Sequence, residues 1–163
     1  MELHVVLVEP EIPQNTGNIA RSCAAVGASL HLIEPLGFST DSKYVKRAGL
    51  DYWHLLEVQK YPALESYFTA SPGFQRVFAT KKQGSVYTSL VYRDKCSLIF
   101  GKETAGLPES LLRNRSMDCA RIPMVEAARS LNLSNAAALF IYEVLRQNDY
   151  SGLSFDGPGL KSD

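Results

Sequence analysis

The sequence predicts an α/β fold in which a parallel β-sheet is flanked by helices. Short apolar, β-branched runs such as residues 3–8 and 30–33 recur along the chain, and segments with helix start and stop signals separate them. Continuous apolar runs are typical of strands that are buried on both faces, and their alternation with helices favours a parallel sheet. A chain of 163 residues fits one domain. We expect residues 1–150 to form it and residues 151–163, which are rich in Gly, Ser and Pro, to be a flexible tail.

The N-terminal third is expected to contain a strand, a helix and a second strand. Two prolines in the segment 9–14 end the first strand, because proline cannot donate a ladder hydrogen bond. Asn15 or Asn18 is expected to cap the helix, since an asparagine side chain satisfies free backbone N–H groups at a helix start. The helix should end at Val26, because Gly27 stands where a left-handed residue usually follows a helix.

The rest of the chain is expected to continue this alternation. Further strands are predicted at residues 53–58, 77–80, 98–101 and 120–124. Further helices are predicted from Asp41 or Ser42 to residue 48, at 63–68, at 109–113, and from a cap at Ser134 or Asn132 to residue 147. The last helix carries one apolar stripe, made of Leu133, Ala137, Phe140, Ile141, Val144 and Leu145.

Composition argues against several classes of function. Lys and Arg together number 17 and so do Asp and Glu, and this net charge of zero argues against promiscuous nucleic-acid binding. Any RNA contact must therefore come from a local patch. No apolar run approaches the roughly 20 residues of a membrane span, and the N-terminus has no signal-peptide pattern, so we expect a cytoplasmic protein without membrane contact. Cys23, Cys96 and Cys119 are expected to be reduced core thiols, and three scattered histidines predict no metal site.

A polar segment between the strand at 120–124 and the last helix predicts a small-molecule site. In the segment 129–135, Ser and Asn side chains alternate with leucines. Capping the helix requires only one polar side chain, whereas this segment contains four. A strand end, a polar turn and a capped apolar helix together form the kind of crevice in which α/β proteins bind ligands.

Two further segments carry polar residues at predicted strand ends. In Asn15-Thr16-Gly17-Asn18-Ile19-Ala20-Arg21, an arginine stands on a largely apolar helix, although a capped surface helix with a solvated arginine explains the segment equally well. In Phe100-Gly101-Lys102-Glu103-Thr104-Ala105-Gly106-Leu107-Pro108, Gly101 lets a ligand lie against the backbone, so that Gly101→Val should block the pocket and leave the fold intact. A loop with an exposed Lys-Glu pair is the alternative.

These three segments, in this order, resemble the three motifs of SPOUT-class RNA methyltransferases, and most closely those of the short tRNA ribose 2′-O-methyltransferases that act on the wobble nucleotide. The resemblance implies a C-terminal trefoil knot, a homodimer, S-adenosylmethionine as cofactor without a metal, and tRNA as substrate. The catalytic residues that it implies are Asn15, Arg21, Glu103, Ser130 and Asn132. The cofactor-binding residues that it implies are Thr80, Gly101, Ile122, Ser130 and Leu131.

The role of Arg21 is limited by its chemistry. A guanidinium group stays protonated in proteins, so we expect Arg21 to stabilise the reacting oxygen or bind phosphate instead of acting as a base. DNA should not react, because it lacks the 2′-hydroxyl. Two alternatives remain open: an RNA-binding or assembly factor without activity, and a 2′-O-methyltransferase that acts at another tRNA or rRNA position. The intact polar set favours an enzyme.

Basic residues outside the motifs offer possible RNA contacts. Lys43, Lys46 and Arg47 precede Trp53, and aromatic residues near basic ones can stack on single-stranded RNA. Lys81 and Lys82 follow a predicted strand end and could touch phosphate. A solvated helix face is the commoner explanation of the first group.

Overall fold

A computed structural model describes residues 1–39, 56–113, 115–157 and 159. These residues form one seven-stranded sheet in which every pair of neighbouring strands is parallel. In chain order the strands are β1 Glu2–Val8, β2 Ser29–Ile33, β3 Val58–Tyr61, β4 Gln75–Ala79, β5 Ser85–Val86, β6 Lys95–Phe100 and β7 Cys119–Arg121. Across the sheet their order is β3-β2-β1-β6-β4-β7-β5. The predicted parallel sheet is confirmed.

Helices cover both faces of this sheet. They are α1 Pro13–Val26, α2 Leu64–Ala70, α3 Glu109–Leu112 and α4 Leu133–Gln147. Helices α1 and α4 share one apolar core, and α2 and α3 share a second. Successive strand residues point to opposite faces, so Val5 and Leu7 of β1 join the first core, whereas Val6 and Val8 join the second. This double burial explains why the strands have continuous apolar sequences.

The start of α1 differs from the prediction. The helix begins at Pro13, and its N-cap residue Ile12 makes no side-chain hydrogen bond. Proline suits the first helical position, because the N–H that it lacks would have no partner within the helix. Asn15 therefore lies inside the first turn and neither Asn15 nor Asn18 is the cap. The end of the helix is as predicted, since Gly27 follows it with φ of 72°.

Two strands also differ from the prediction. The strand expected at 53–58 is β3, Val58–Tyr61, because its register is set by pairing with β2 from Leu30 to Ile33. Strand β7 ends at Arg121, before the predicted end at Met124. The predicted helix ending at residue 48, with its caps Asp41 and Ser42 and the basic residues Lys43, Lys46 and Arg47 beside Trp53, lies outside the described residues.

Buried polar and sulfur-containing side chains occupy both cores. Cys23, Cys96 and Cys119 are free and buried, as predicted. The histidines are less scattered than their sequence positions suggest, because the ring centroids of His4 and His31 lie 4.2 Å apart on adjacent strands. Among the described helices, none is long and apolar enough to cross a membrane.

Candidate active site

A cavity of about 700 Å³ opens at the carboxyl ends of three neighbouring strands, β6, β4 and β7. Its apolar lining includes Ala79, Phe100 and Ala120 at those strand ends, and Phe140 of α4. Parallel strands expose their last carbonyl groups at this edge, and the loops that follow supply polar side chains. An apolar floor with a polar rim is the usual composition of a site for a small organic ligand.

The five predicted cofactor residues all line this cavity: Thr80, Gly101, Ile122, Ser130 and Leu131. Thr80 directly follows β4 and donates its backbone N–H to the Ala120 carbonyl oxygen at 2.9 Å. This hydrogen bond joins the ends of β4 and β7 and so fixes two sides of the cavity. Leu131 lines the cavity and is 40% exposed.

Gly101 is required by the chain itself, and the prediction that Gly101→Val leaves the fold intact is wrong. A Cβ atom at this position would lie 2.1 Å from the carbonyl carbon of Gly106 and 2.2 Å from the Leu107 nitrogen. The loop after β6 turns back tightly, with the Gly106 N–H donating to the Lys102 carbonyl oxygen at 2.8 Å. The backbone of this loop therefore occupies the space that a side chain would need.

Three polar residues from the three sequence motifs form one hydrogen-bonded relay. The Asn15 Nδ2 donates to Glu103 Oε1 at 3.0 Å, and the Asn132 Nδ2 donates to Asn15 Oδ1 at 3.0 Å. The Asn132 Oδ1 accepts the backbone N–H of Ser134 at 2.9 Å and thereby caps α4. A carboxylate only accepts and a backbone N–H only donates, so the two ends of the relay determine which way both amides point. Asn15 is only 5% exposed, so its amide depends on these partners.

Additional contacts join the loop before α1 to the loop after β6. Glu103 Oε2 accepts the Glu11 N–H at 2.9 Å, while the Glu11 carboxylate accepts the backbone N–H of Thr104 at 3.1 Å and its hydroxyl at 2.8 Å. Lys102 donates to Glu9 Oε2 at 2.9 Å, and this hydrogen bond raises the pKa of the Lys102 ammonium group. The two loops are therefore held together at three places beside the cavity.

The structure brings together four of the five predicted catalytic residues, but not the fifth. Asn15, Glu103, Ser130 and Asn132 line the cavity. Arg21 does not line it and is exposed on α1. Arg21 comes six positions after Asn15 in α1, which corresponds to about 9 Å along the axis and a different face of the helix.

Sequence reasoning missed the residues that hold the loops in place. No role is predicted for Glu9, Glu11 or Thr104, and Lys102 is considered only as part of an exposed Lys-Glu pair. Two acidic residues shortly after a strand were a usable signal. Lys81, which was considered as a phosphate contact, donates to the Arg129 carbonyl oxygen at 2.8 Å. No group of three or more potential metal ligands occurs within the part of the chain that the structure describes.

The similarity to known proteins covers every residue that lines the cavity. The SpoU rRNA Methylase family matches residues 2–142. A protein from Aeromonas hydrophila named tRNA (cytidine(34)-2'-O)-methyltransferase is 47% identical over 152 residues, which cover 92% of this chain and 97% of that protein. The matched residues contain all three motifs.

Solved structures include two with a similar fold. One described as “Structural insights into the 2-OH methylation of C/U34 on tRNA” is 40% identical with a TM-score of 0.86, and the match covers 91% of this chain and 97% of that one. A SpoU methyltransferase from Streptomyces viridochromogenes in complex with the cofactor AdoMet is 27% identical with a TM-score of 0.76, covering 93% of this chain and 59% of that one. The similarity therefore includes a protein whose structure contains S-adenosylmethionine.

Proposed function

The chain belongs to the SpoU rRNA methylase family, and on that premise we propose that it methylates the ribose 2′-hydroxyl of nucleotide 34 in tRNA. The methyl donor is S-adenosylmethionine, and the base at position 34 is a cytidine or a uridine. The observation that carries the proposal is the cavity at three strand ends, closed by the same segments that resemble the family's motifs. The homologous enzymes act on this nucleotide, as their names state.

The residues around the cavity fit S-adenosylmethionine. Its volume of about 700 Å³ lies within the range of roughly 300–1,000 Å³ typical of small-molecule sites. Phe100 and Phe140 give the floor an apolar surface for an adenine ring, while Thr80, Ser130 and the strand-end backbone supply polar groups. When bound, the cofactor supplies an electrophilic methyl group on a sulfonium.

The protein's own contribution is to hold the cavity in one geometry. The relay from Glu103 through Asn15 to Asn132 joins all three motifs, so the loop after β6, the start of α1 and the start of α4 cannot move independently. Methyl transfer is an in-line displacement whose rate depends on alignment, and a fixed set of loops supplies that alignment. We propose that Glu103, Asn15 and Asn132 act chiefly by positioning.

Arg21 is the residue that we propose for the substrate's reacting ribose. It stands on the solvent-facing side of α1, where a large RNA can reach it, while the cofactor cavity lies beyond Asn15. A guanidinium can stabilise the oxygen as it loses its proton, or bind the adjacent phosphate with two parallel N–H groups.

We propose that the protein is a homodimer that packs through α4. Leu139 and Tyr142 lie three residues apart on this helix and are 42% and 50% exposed, and Ile12 and Leu131 add apolar surface at its N-terminal end. The small side chains of Ala20 and Ala137 are buried in the protein's own core and serve the packing of α1 on α4, so they are not available to a second protomer. Sedimentation at micromolar concentration tests this proposal, and a monomer mass at every concentration would contradict it.

The strand order supports a knotted C-terminal segment. The chain passes from β4 to the edge strand β5, returns to β6 between β1 and β4, and then enters at β7 between β4 and β5. The loop before β5 lies tightly against β7, since a Cβ on Gly84 would lie 2.2 Å from the Cys119 carbonyl oxygen. We also propose a cytoplasmic location, because Cys23, Cys96 and Cys119 are free thiols.

The test is methylation of a defined RNA. The protein is incubated with S-adenosylmethionine and a tRNA from cells that lack this gene, and the digested RNA is mapped by mass spectrometry. We expect one added methyl group, on the ribose of nucleotide 34. The matched control is the same tRNA with a single 2′-deoxy nucleotide at position 34, which should gain none. Methylation at another position would favour the alternative target. Tight tRNA binding without methylation would favour a binding factor.

A further inference from the structure

The loop between β7 and α4 is weakly attached to the rest of the protein. We call its residues 125–131 the pocket loop. They are all exposed, and three of them, Arg129, Ser130 and Leu131, line the cavity. Inside the loop, the Ala128 N–H donates to the Val125 carbonyl oxygen at 3.0 Å. Its shape depends mainly on how its two ends are fixed.

Lys81 makes the one hydrogen bond that joins the pocket loop to the rest of the chain, as far as the structure describes it. Its Nζ donates to the Arg129 carbonyl oxygen at 2.8 Å. The backbone from which Lys81 extends is fixed, because the preceding Thr80 donates its N–H to Ala120 and accepts the Lys82 N–H on its hydroxyl. The Lys81 side chain therefore connects a fixed strand end to the pocket loop, and Lys81 and Arg129 both line the cavity.

We propose that Lys81 is a positioning residue that holds the pocket loop closed over the bound cofactor. The proposal rests on the function proposed above, since it assigns S-adenosylmethionine to this cavity. Ordering a loop costs conformational entropy, and a contact that holds it in the closed form before the ligand arrives improves affinity. The effect should appear in cofactor binding and not in the chemical step.

The neighbouring residue Lys82 offers a matched comparison. It is also exposed and also lines the cavity, but its Nζ forms a salt bridge with Glu109 at 2.9 Å instead of a hydrogen bond to the pocket loop. Substituting either lysine removes one positive charge from the same surface. Only substitution of Lys81 removes the hydrogen bond to Arg129.

The first experiment needs no ligand. Trypsin cleaves after Arg129, and the bond that it attacks contains the carbonyl group to which Lys81 donates. We expect the cofactor-free Lys81→Met protein to be cleaved at this bond about 3- to 10-fold faster than the wild type, the range for losing one net hydrogen bond. Lys82→Met should be cleaved at the wild-type rate, and Lys81→Arg should restore it.

The second experiment measures the cofactor. In Lys81→Met the Kd for S-adenosylmethionine should rise by about 3- to 10-fold, while kcat at saturating cofactor and KM for tRNA stay within twofold. Lys81→Arg should return the Kd to the wild-type value. An unchanged Kd with a raised KM for tRNA would show that Lys81 contacts phosphate and would overturn the proposal, as would equal effects of Lys82→Met. If the wild type binds no S-adenosylmethionine, the proposed function fails, and the cleavage rate still decides whether Lys81 holds the loop.

Discussion

Replacing Asn132 with Asp should break the relay at one hydrogen bond and leave the cap of α4 in place. An aspartate oxygen can accept the N–H of Ser134 as the asparagine oxygen does, and aspartate is an equally good N-cap. It cannot donate to Asn15, so two acceptor oxygens would face each other where the structure has a 3.0 Å hydrogen bond. Rotating the Asn15 amide would only move the conflict to Glu103, whose carboxylate also accepts.

The change in the free energy of unfolding caused by Asn132→Asp is the sum of two opposing contributions. Leaving the buried acceptor of Asn15 without a donor costs about 1–3 kcal/mol. The added negative charge at the N-terminus of α4 returns about 0.3–1 kcal/mol. A net loss of about 1–2 kcal/mol should lower Tm by roughly 2–8 °C for a protein of this size. Cofactor affinity should fall by up to about 10-fold, because the loops that line the cavity are no longer held together.

Two control variants isolate the hydrogen bond. Asn135→Asp places the same charge in the first turn of α4 without touching the relay, and it should be as stable as the wild type or slightly more so. Asn132→Ser keeps a capping hydroxyl without adding charge, but its side chain is too short to reach Asn15. Thermal unfolding and calorimetric titration of each protein are the measurements. If Asn132→Asp has the same Tm as Asn135→Asp and binds the cofactor as tightly as the wild type, the relay does not organise the site.

Three further predictions concern other parts of the molecule. Gly101→Ala should yield little folded protein or lower the free energy of unfolding by more than about 2 kcal/mol, because its Cβ would overlap the Gly106 backbone; a wild-type Tm would contradict this. Burial lowers the pKa of His31 from 6.5 to about 3, and burial also lowers the pKa of His4. At these two histidines the unfolded chain therefore binds more protons than the folded protein below pH 6.5. The free energy of unfolding should fall as the pH drops from 6.5 towards 3, by up to about 1.4 kcal/mol per pH unit for His31. Urea unfolding across this pH range checks the sign, and His31→Leu should give a smaller slope. Arg21→Ala should keep its Tm and cofactor Kd while turnover falls about 10²-fold, and Arg21→Lys should restore little; a lower Tm with normal turnover per folded molecule would remove Arg21 from the mechanism.

Local patterns predicted most of the fold, because burial on both faces leaves a clear apolar signature in strands such as β1 and β6. Strand β5 escaped prediction, since two exposed residues, Ser85 and Val86, become a strand only by pairing with β7. The cap of α1 was misplaced because the Asn15 amide, a good cap by itself, is engaged by Glu103 and Asn132, 88 and 117 residues away in sequence. Long-range partners of this kind leave no local pattern.

The candidate site also has a part that the sequence predicts and a part that depends on long-range contacts. Residues at strand ends were predictable, because parallel strands bring their carboxyl ends to one edge whatever the details of the loops. The direction in which Lys81 points was not, since a surface lysine has many accessible rotamers and only the folded loop offers it the Arg129 carbonyl. The meeting of His4 with His31 likewise depends on the register of β1 and β2.

The position of β7 between β4 and β5 also has a consequence for how the protein is made. Strand β5 has β7 as its neighbour at the sheet edge, so it has no pairing partner until residues 119–121 have been synthesised. Until then the β5 segment must stay far enough from β4 for β7 to enter between them. Pairings between distant segments form slowly, and we expect a late folding step in which β7 and α4 enter together. A nascent chain would thus have most of its sheet before it has any place to bind a ligand.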